Sequence, residues 1–74
     1  MKNNKVLRQI EIVEKYVKET IEGFFPMEIV EVVDAKTSED NENTMEGVVA
    51  EKSGRNYYFV IDKETGIPLL QPLI

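Results

Sequence analysis

The sequence predicts an α+β fold in which an N-terminal amphipathic helix packs on a four-stranded, mainly antiparallel meander sheet. Apolar residues in the first third of the chain recur every three or four positions, which is the period of one helical face. The rest of the chain is rich in β-branched and aromatic residues, and short glycine-containing turns divide it into strands. With 74 residues, the chain is expected to form one small domain, 1–74.

The predicted helix extends over residues 5–22. Its other sides carry charged residues, several of them in oppositely charged pairs four positions apart, as is typical of a solvent-exposed surface. Gly23 is expected to end the helix in a left-handed conformation. Pro26 prevents the helix from continuing further. The apolar stripe consists of Val6, Ile10, Val13, Val17, Ile21 and Phe24. We therefore expect this stripe to lie against a flat apolar surface.

The first two predicted strands cover residues 27–36 and 44–52. The first contains so many β-branched residues that the pattern does not reveal which face is buried. Either both faces are covered, or a β-bulge shifts the alternation.

The third predicted strand, 55–62, alternates clearly, and its core face is expected to consist of Tyr57, Phe59 and Ile61. A turn over 62–66 closed by glycine leads into a short fourth strand, 67–71. Since Pro68 and Pro72 cannot donate hydrogen bonds to a neighbour, this strand is expected at an edge of the sheet.

Composition excludes several classes of function. Fourteen acidic residues against nine basic ones give a net charge of -5, which argues against nucleic-acid binding because that affinity depends on clustered Lys and Arg. The sequence contains no cysteine and no histidine, so it offers neither a thiolate zinc site nor an imidazole base. We expect a protein that is not an enzyme, with no catalytic residue and no cofactor.

The beginning of the chain is basic but does not continue into an apolar segment, because a charged residue follows every three or four positions. Apolar runs elsewhere are far shorter than the roughly 20 residues that span a bilayer. We therefore expect a cytoplasmic protein without membrane attachment.

Residues 34–46 contain five acidic residues and one lysine, which concentrates a charge of -4 in one segment. Calcium binds clustered oxygen ligands, and the candidates here are Asp34, Glu39, Asp40 and Glu42. A calcium-binding loop starting at Asp34 or Asp40 would need glycine at its sixth position, where the sequence has Glu39 or Met45. The favoured interpretation is a solvated connection between strands, with cation or small-ligand binding as the alternative.

The second face of the sheet is the other candidate site. One helix covers one face, yet Tyr58 and Val60 alternate with the predicted core set, and Leu70 could join them. A contiguous exposed apolar patch of roughly several hundred Å² on a small monomer usually marks a partner site. We therefore predict a protein-binding or regulatory module that acts on a protein partner or as a homodimer. The alternative is that these are ordinary strand residues covered by neighbouring side chains.

The segment 58–69, YFVIDKETGIPL, combines a tyrosine, an alternating strand, an Asp-x-x-Thr-Gly turn and a hydrophobic ending. In this respect it resembles PepSY-like domains, in which an amphipathic helix also precedes the sheet. The resemblance implies an α+β binding or inhibitory module, acting on peptidases in some members. It implies no functional residue at a particular position of this chain.

Overall fold

A computed structural model describes residues 2–73 of the protein, with side chains described from Gln9 to Leu73. The elements are α1 (Lys2–Phe24), β1 (Ile29–Thr37), β2 (Thr44–Glu51), β3 (Asn56–Asp62) and β4 (Ile67–Pro72). The strands form one sheet in the order β1-β2-β3-β4, and all neighbouring strands are antiparallel. The predicted α+β fold with a meander sheet is therefore confirmed.

The core lies between α1 and one face of the sheet. Its buried side chains come from α1 and the first three strands: Val17, Ile21, Ile29, Met45, Val49, Phe59 and Ile61. On β3 the predicted core face is confirmed, because Phe59 and Ile61 are fully buried and Tyr57 packs against the same cluster. Strand alternation therefore sends the intervening residues to the opposite face.

Among the described side chains from Gln9 onwards, the apolar stripe of α1 is buried against the sheet only in its second half. Val17 and Ile21 are buried and Val13 packs beside them, whereas Ile10 is 48% exposed. The expected burial of Ile10 is thus only partial, and Val6 lies outside the described side chains.

The end of α1 differs from the expectation. Gly23 does not have a positive φ, so the predicted left-handed glycine is wrong. Instead, the amide of Phe25 donates a 2.9 Å hydrogen bond to the carbonyl of Ile21, and the helix includes Phe24. With the helix continued to Phe24, Phe25 packs against the core and Phe24 is 58% exposed. The predicted place of Phe24 on the buried stripe is therefore wrong.

Two β-bulges interrupt the pairing of β1 with β2, between Ile29 and Glu31 and between Val32 and Asp34. The extra residues, Val30 and Val33, are exposed, whereas Ile29 is buried and Val32 packs against the core. The bulge, one of the two explanations offered by the sequence, accounts for the missing alternation.

Both edges of the sheet resist the addition of another strand. One edge is β1, whose regular strand geometry is interrupted by the two bulges. The other edge is β4, where Pro68 and Pro72 remove amide donors, as the sequence predicted.

Candidate protein-binding face

The sheet face opposite α1, called the back face, is formed by side chains that alternate with the buried ones. Its residues on β2, β3 and β4 follow from the observed register: Thr44, Glu46, Val48, Ala50, Asn56, Tyr58, Val60, Asp62, Ile67, Leu69 and Gln71. Glu31, Asp34 and Lys36 of β1 pair with Ala50, Val48 and Glu46 and extend this face. Within residues 2–73, α1 packs on the other side, and no further element covers the back face.

An apolar patch occupies three strands of the back face and consists of Val48, Tyr58, Val60, Ile67 and Leu69. Val48 lies opposite Tyr58, and Val60 lies opposite Leu69, so the patch is continuous across β2, β3 and β4. Leu69 is 67% exposed and Ile67 is 49% exposed, while the other three are half-buried. Large apolar side chains therefore remain in contact with water next to one another.

Two shallow depressions lie on the patch. Val60, Ile67 and Leu69 line a shallow depression of about 390 Å³. A second depression, of about 380 Å³, lies beside Tyr58 and shares Val60 and Leu69 with the first. These depressions can receive side chains from a partner more readily than a flat surface could.

The structure places two of the three predicted binding residues, Tyr58 and Val60, on the back face. Leu70 is a correction: it pairs with Phe59, and its side chain packs against the core under α1. Its neighbour Leu69 occupies the position that the sequence interpretation gave to Leu70. The turn over 62–66 carries the signal for this, because pairing of Asp62 with Ile67 places Leu69 opposite Val60.

Sequence reasoning also missed Val48 and Ile67 as members of the patch. Val48 is one of two adjacent valines on β2, and only the burial of Val49 shows which of them faces away from α1. Ile67 begins β4 directly after the turn, where the local pattern is too short to assign a face.

Glu46 and Tyr58 are joined at the border of the patch. The Tyr58 hydroxyl donates a 3.0 Å hydrogen bond to Glu46 Oε2. This hydrogen bond, partial burial of the phenol and the negative charge of Glu46 together raise the pKa of Tyr58 above its ordinary value of 10.0. Tyr58 therefore remains a neutral donor at physiological pH.

An acidic band lies along one side of the patch and consists of Glu31, Asp34 and Glu46. Glu31 and Asp34 point to the back face from β1, beside Ala50 and Val48. Lys36 lies across from Glu46 and adds one positive charge. On the opposite side of the patch, the outer strand contributes Ile67, Leu69 and the uncharged Gln71. Asp62, which pairs with Ile67, adds an exposed carboxylate next to the outer strand, so acidic residues lie on two sides of the patch.

The candidate cation ligands Asp34, Glu39, Asp40 and Glu42 are not brought together. Asp34 is part of β1, whereas the other three are exposed in the connection between β1 and β2. Among the described residues, no three His, Cys, Asp or Glu side chains are grouped so that they could hold a metal ion.

A second exposed apolar region accompanies α1. A groove of about 310 Å³ separates it from β1 and is lined by Ile10 and Val13 on one side and Val32 and Val33 on the other. The polar residues Gln9, Glu14 and Asp34 also line this groove. It is therefore less continuous as an apolar surface than the patch on the back face.

Comparison with protein-family models, with curated proteins and with solved structures gives no match to this chain. The resemblance of 58–69 to PepSY-like domains stays a prediction. Among the described residues, no helix combines the length and the apolar character that crossing a membrane requires. The fold thus defines a small α+β protein in which, over residues 2–73, the one helix covers one side of the sheet.

Proposed function

We propose that this protein is a small, cytoplasmic, non-enzymatic module that binds a protein and regulates it, or pairs with a second copy, through the back face. The observation that supports the proposal is the continuous apolar patch, which α1 leaves uncovered. Leu69 exposes 67% of its surface in a domain whose buried core contains only seven side chains among the residues described. Covering this patch would remove apolar area from water, which favours association.

The mode of binding follows from the edges of the sheet. Strand addition requires a free edge with regular donors and acceptors. The bulges at Val30 and Val33 and the prolines of β4 disturb both edges. We therefore expect a partner to contact side chains of the back face rather than to extend the sheet.

The absence of enzyme activity is also part of the proposal and rests on the sequence. The chain has neither histidine nor cysteine to act as a base or nucleophile near neutral pH. Its function would accordingly depend on what the back face contacts.

The experiment compares the wild type with Val60→Glu and with the matched control Val30→Glu. Both substitutions place a carboxylate at a valine of the sheet, but Val30 is 59% exposed on the bulged edge and outside the patch. Sedimentation equilibrium up to about 100 µM detects self-association, and a quantitative pull-down from the native lysate detects foreign partners. We expect an interaction that Val60→Glu abolishes and Val30→Glu retains. Equal behaviour of all three proteins in both measurements would contradict the proposal.

A further inference from the structure

We propose that Pro68 and Pro72 close the outer edge of β4 to strand pairing, and that the partner they exclude is a second copy of this chain. This inference goes beyond the proposed function, because it concerns an edge of the sheet and not the back face. Three observations carry it: the direction of the β4 amides, the lack of charge on β4 and the exposed apolar side chains beside this edge.

The backbone of β4 points alternately towards β3 and away from it, and the register shows which residues do which. The amide of Leu73 donates a 3.0 Å hydrogen bond to the carbonyl of Asn56, which continues the pairing of β3 with β4 by one residue. In an antiparallel pair, every second residue is hydrogen-bonded to its opposite neighbour. The odd-numbered residues of β4 therefore direct their N–H and C=O groups to β3, and the even-numbered residues direct theirs outward.

Both prolines of β4 occupy outward-facing positions. The outward residues are Pro68, Leu70 and Pro72, and since proline has no N–H, only Leu70 directs an amide donor to the free edge. The carbonyl groups of all three remain as acceptors. In a regular antiparallel pair each such residue both donates and accepts. An added strand would therefore meet an edge on which the donors on both sides of Leu70 are missing.

A second copy is the partner for which this loss of donors is largest. Two β4 strands that pair antiparallel about Leu70 place it opposite the Leu70 of the second copy, and each Pro68 opposite a Pro72. The central pair keeps both of its hydrogen bonds, whereas each flanking pair has acceptors and no donor. A strand without proline would still supply its own donors to the carbonyls of Pro68 and Pro72.

Without its prolines, β4 would have the features of an edge strand that associates. Its sequence, IPLLQP, contains no charged residue, whereas β1 at the other edge carries charged residues in addition to its bulges. Ile67, Leu69 and Leu73 are large apolar residues that are exposed beside this edge or just beyond it. An uncharged edge strand with exposed apolar residues is a template for pairing with another chain. The prolines are therefore the feature that protects β4.

Hydrogen exchange in the wild type tests the direction of the amides. We expect the Leu70 amide to exchange at least about tenfold faster than the amides of Leu69 and Gln71, because only the latter two point to β3. Exposure of the side chains alone would give the opposite order, since Leu70 is half-buried and its two neighbours are exposed. Exchange of Leu70 as slow as that of its neighbours would overturn the proposal.

The double variant Pro68→Val, Pro72→Val restores both missing donors. Valine keeps an apolar side chain at the buried position 68 and suits a strand. In sedimentation equilibrium up to about 100 µM, the average mass of this variant should approach that of a dimer. The matched control Pro26→Val makes the same substitution at an exposed proline outside the sheet and should keep the mass of the wild type. If the double variant does not fold, Pro72→Val alone, at an exposed position, decides: it should associate more than the wild type.

The outcomes separate this inference from the proposed function. The masses are also compared in the Val60→Glu background, where association through the edge should persist because Val60 lies on the back face. Association that Val60→Glu abolished would overturn the inference and retain the proposed function. A folded double variant that stayed at the mass of the wild type, or equal association of Pro26→Val, would also overturn the inference. An edge that opens as expected, in a chain that binds nothing through Val60, would retain the inference and contradict the proposed function.

Discussion

The Tyr58 hydroxyl donates a 3.0 Å hydrogen bond to Glu46 Oε2 across β2 and β3, at the line where the apolar patch meets the acidic band. The two residues are diagonal neighbours, since Glu46 pairs with Val60 and Tyr58 pairs with Val48. The hydrogen bond keeps the Glu46 carboxylate beside the Tyr58 phenol, where the apolar patch adjoins the acidic band.

The titration of Tyr58 should depend on Glu46. The hydrogen bond, partial burial and the charge of Glu46 raise the pKa of Tyr58 above 10.0. Replacement Glu46→Ala removes the bond and the charge, so this pKa should fall towards its ordinary value. Titration of the tyrosine ring resonances by NMR measures it, with Tyr58→Phe for assignment and Tyr57→Phe as a control that retains the shift. An unchanged titration in Glu46→Ala would contradict the assigned cause.

The same shift has a consequence for stability at high pH. Since the pKa of Tyr58 is higher in the folded state, the folded protein retains the phenolic proton at a pH where the unfolded chain has lost it. The contribution of protonated Tyr58 to the free energy of unfolding is fully present below the pKa that Tyr58 has in the unfolded chain. It is lost as pH rises through the pKa that Tyr58 has in the folded protein. The free energy of unfolding should therefore fall more steeply above about pH 10 in the wild type than in Glu46→Ala. Urea denaturation at several pH values measures how the free energy of unfolding depends on pH. The same pH dependence in the wild type and in Glu46→Ala would contradict this prediction.

Two adjacent leucines on β4 should differ strongly in their effect on stability. Leu70 packs against the core, so Leu70→Ala should cost about 1–3 kcal/mol of unfolding free energy. Leu69 is 67% exposed on the back face, so Leu69→Ala should change it by no more than about 0.5 kcal/mol. Urea denaturation of both variants provides the comparison. Equal losses would show that β4 does not have the register described.

The sequence allowed the helix, the four strands and the core face of β3 to be predicted, because each has a regular period over several residues. The face of β4 could not be predicted locally, since Leu69 and Leu70 are adjacent and both apolar. Only pairing with β3 separates them. The candidate site was accordingly predicted only in part: Tyr58 and Val60 were found by alternation, whereas Val48, Ile67 and Leu69 required the register.

Other differences arose where tertiary contacts prevailed over a local signal. The bulges of β1 depend on pairing with β2, so the sequence could offer a bulge as one explanation for the missing alternation but could not locate it. Gly23 follows the usual pattern of a helix end, yet the helix continues to Phe24 and Phe25 packs against the core. Burial of an aromatic ring thus decided where the helix stops.

Gly47 should be intolerant of any side chain. A Cβ at this position would overlap the carbonyl oxygen of Asp34, which the bulged strand brings over it. Gly47→Ala should therefore reduce the unfolding free energy by about 2 kcal/mol or more. Gly23→Ala is the matched control, because a Cβ there meets nothing within 4 Å and the residue is helical, so stability should rise by about 0.5 kcal/mol. Thermal denaturation of both variants tests this, and a neutral Gly47→Ala would refute the close approach.

Glu22 should stabilise the junction between α1 and β1. Its Oε2 accepts a 2.8 Å hydrogen bond from the amide of Ile29, the first residue of β1, and lies 3.7 Å from Lys18 Nζ. Glu22→Ala leaves a part-buried amide without this acceptor and should cost about 1–2 kcal/mol, whereas Glu22→Gln supplies another acceptor and should cost less. Lys18→Ala removes only an exposed ion pair, so its effect should stay below about 0.5 kcal/mol.

Hydrogen exchange at the Ile29 amide gives the local measurement: exchange should accelerate in Glu22→Ala and remain slow in Lys18→Ala. Equal exchange rates of the Ile29 amide in Glu22→Ala and Lys18→Ala would mean that the Glu22 carboxylate does not stabilise the start of β1.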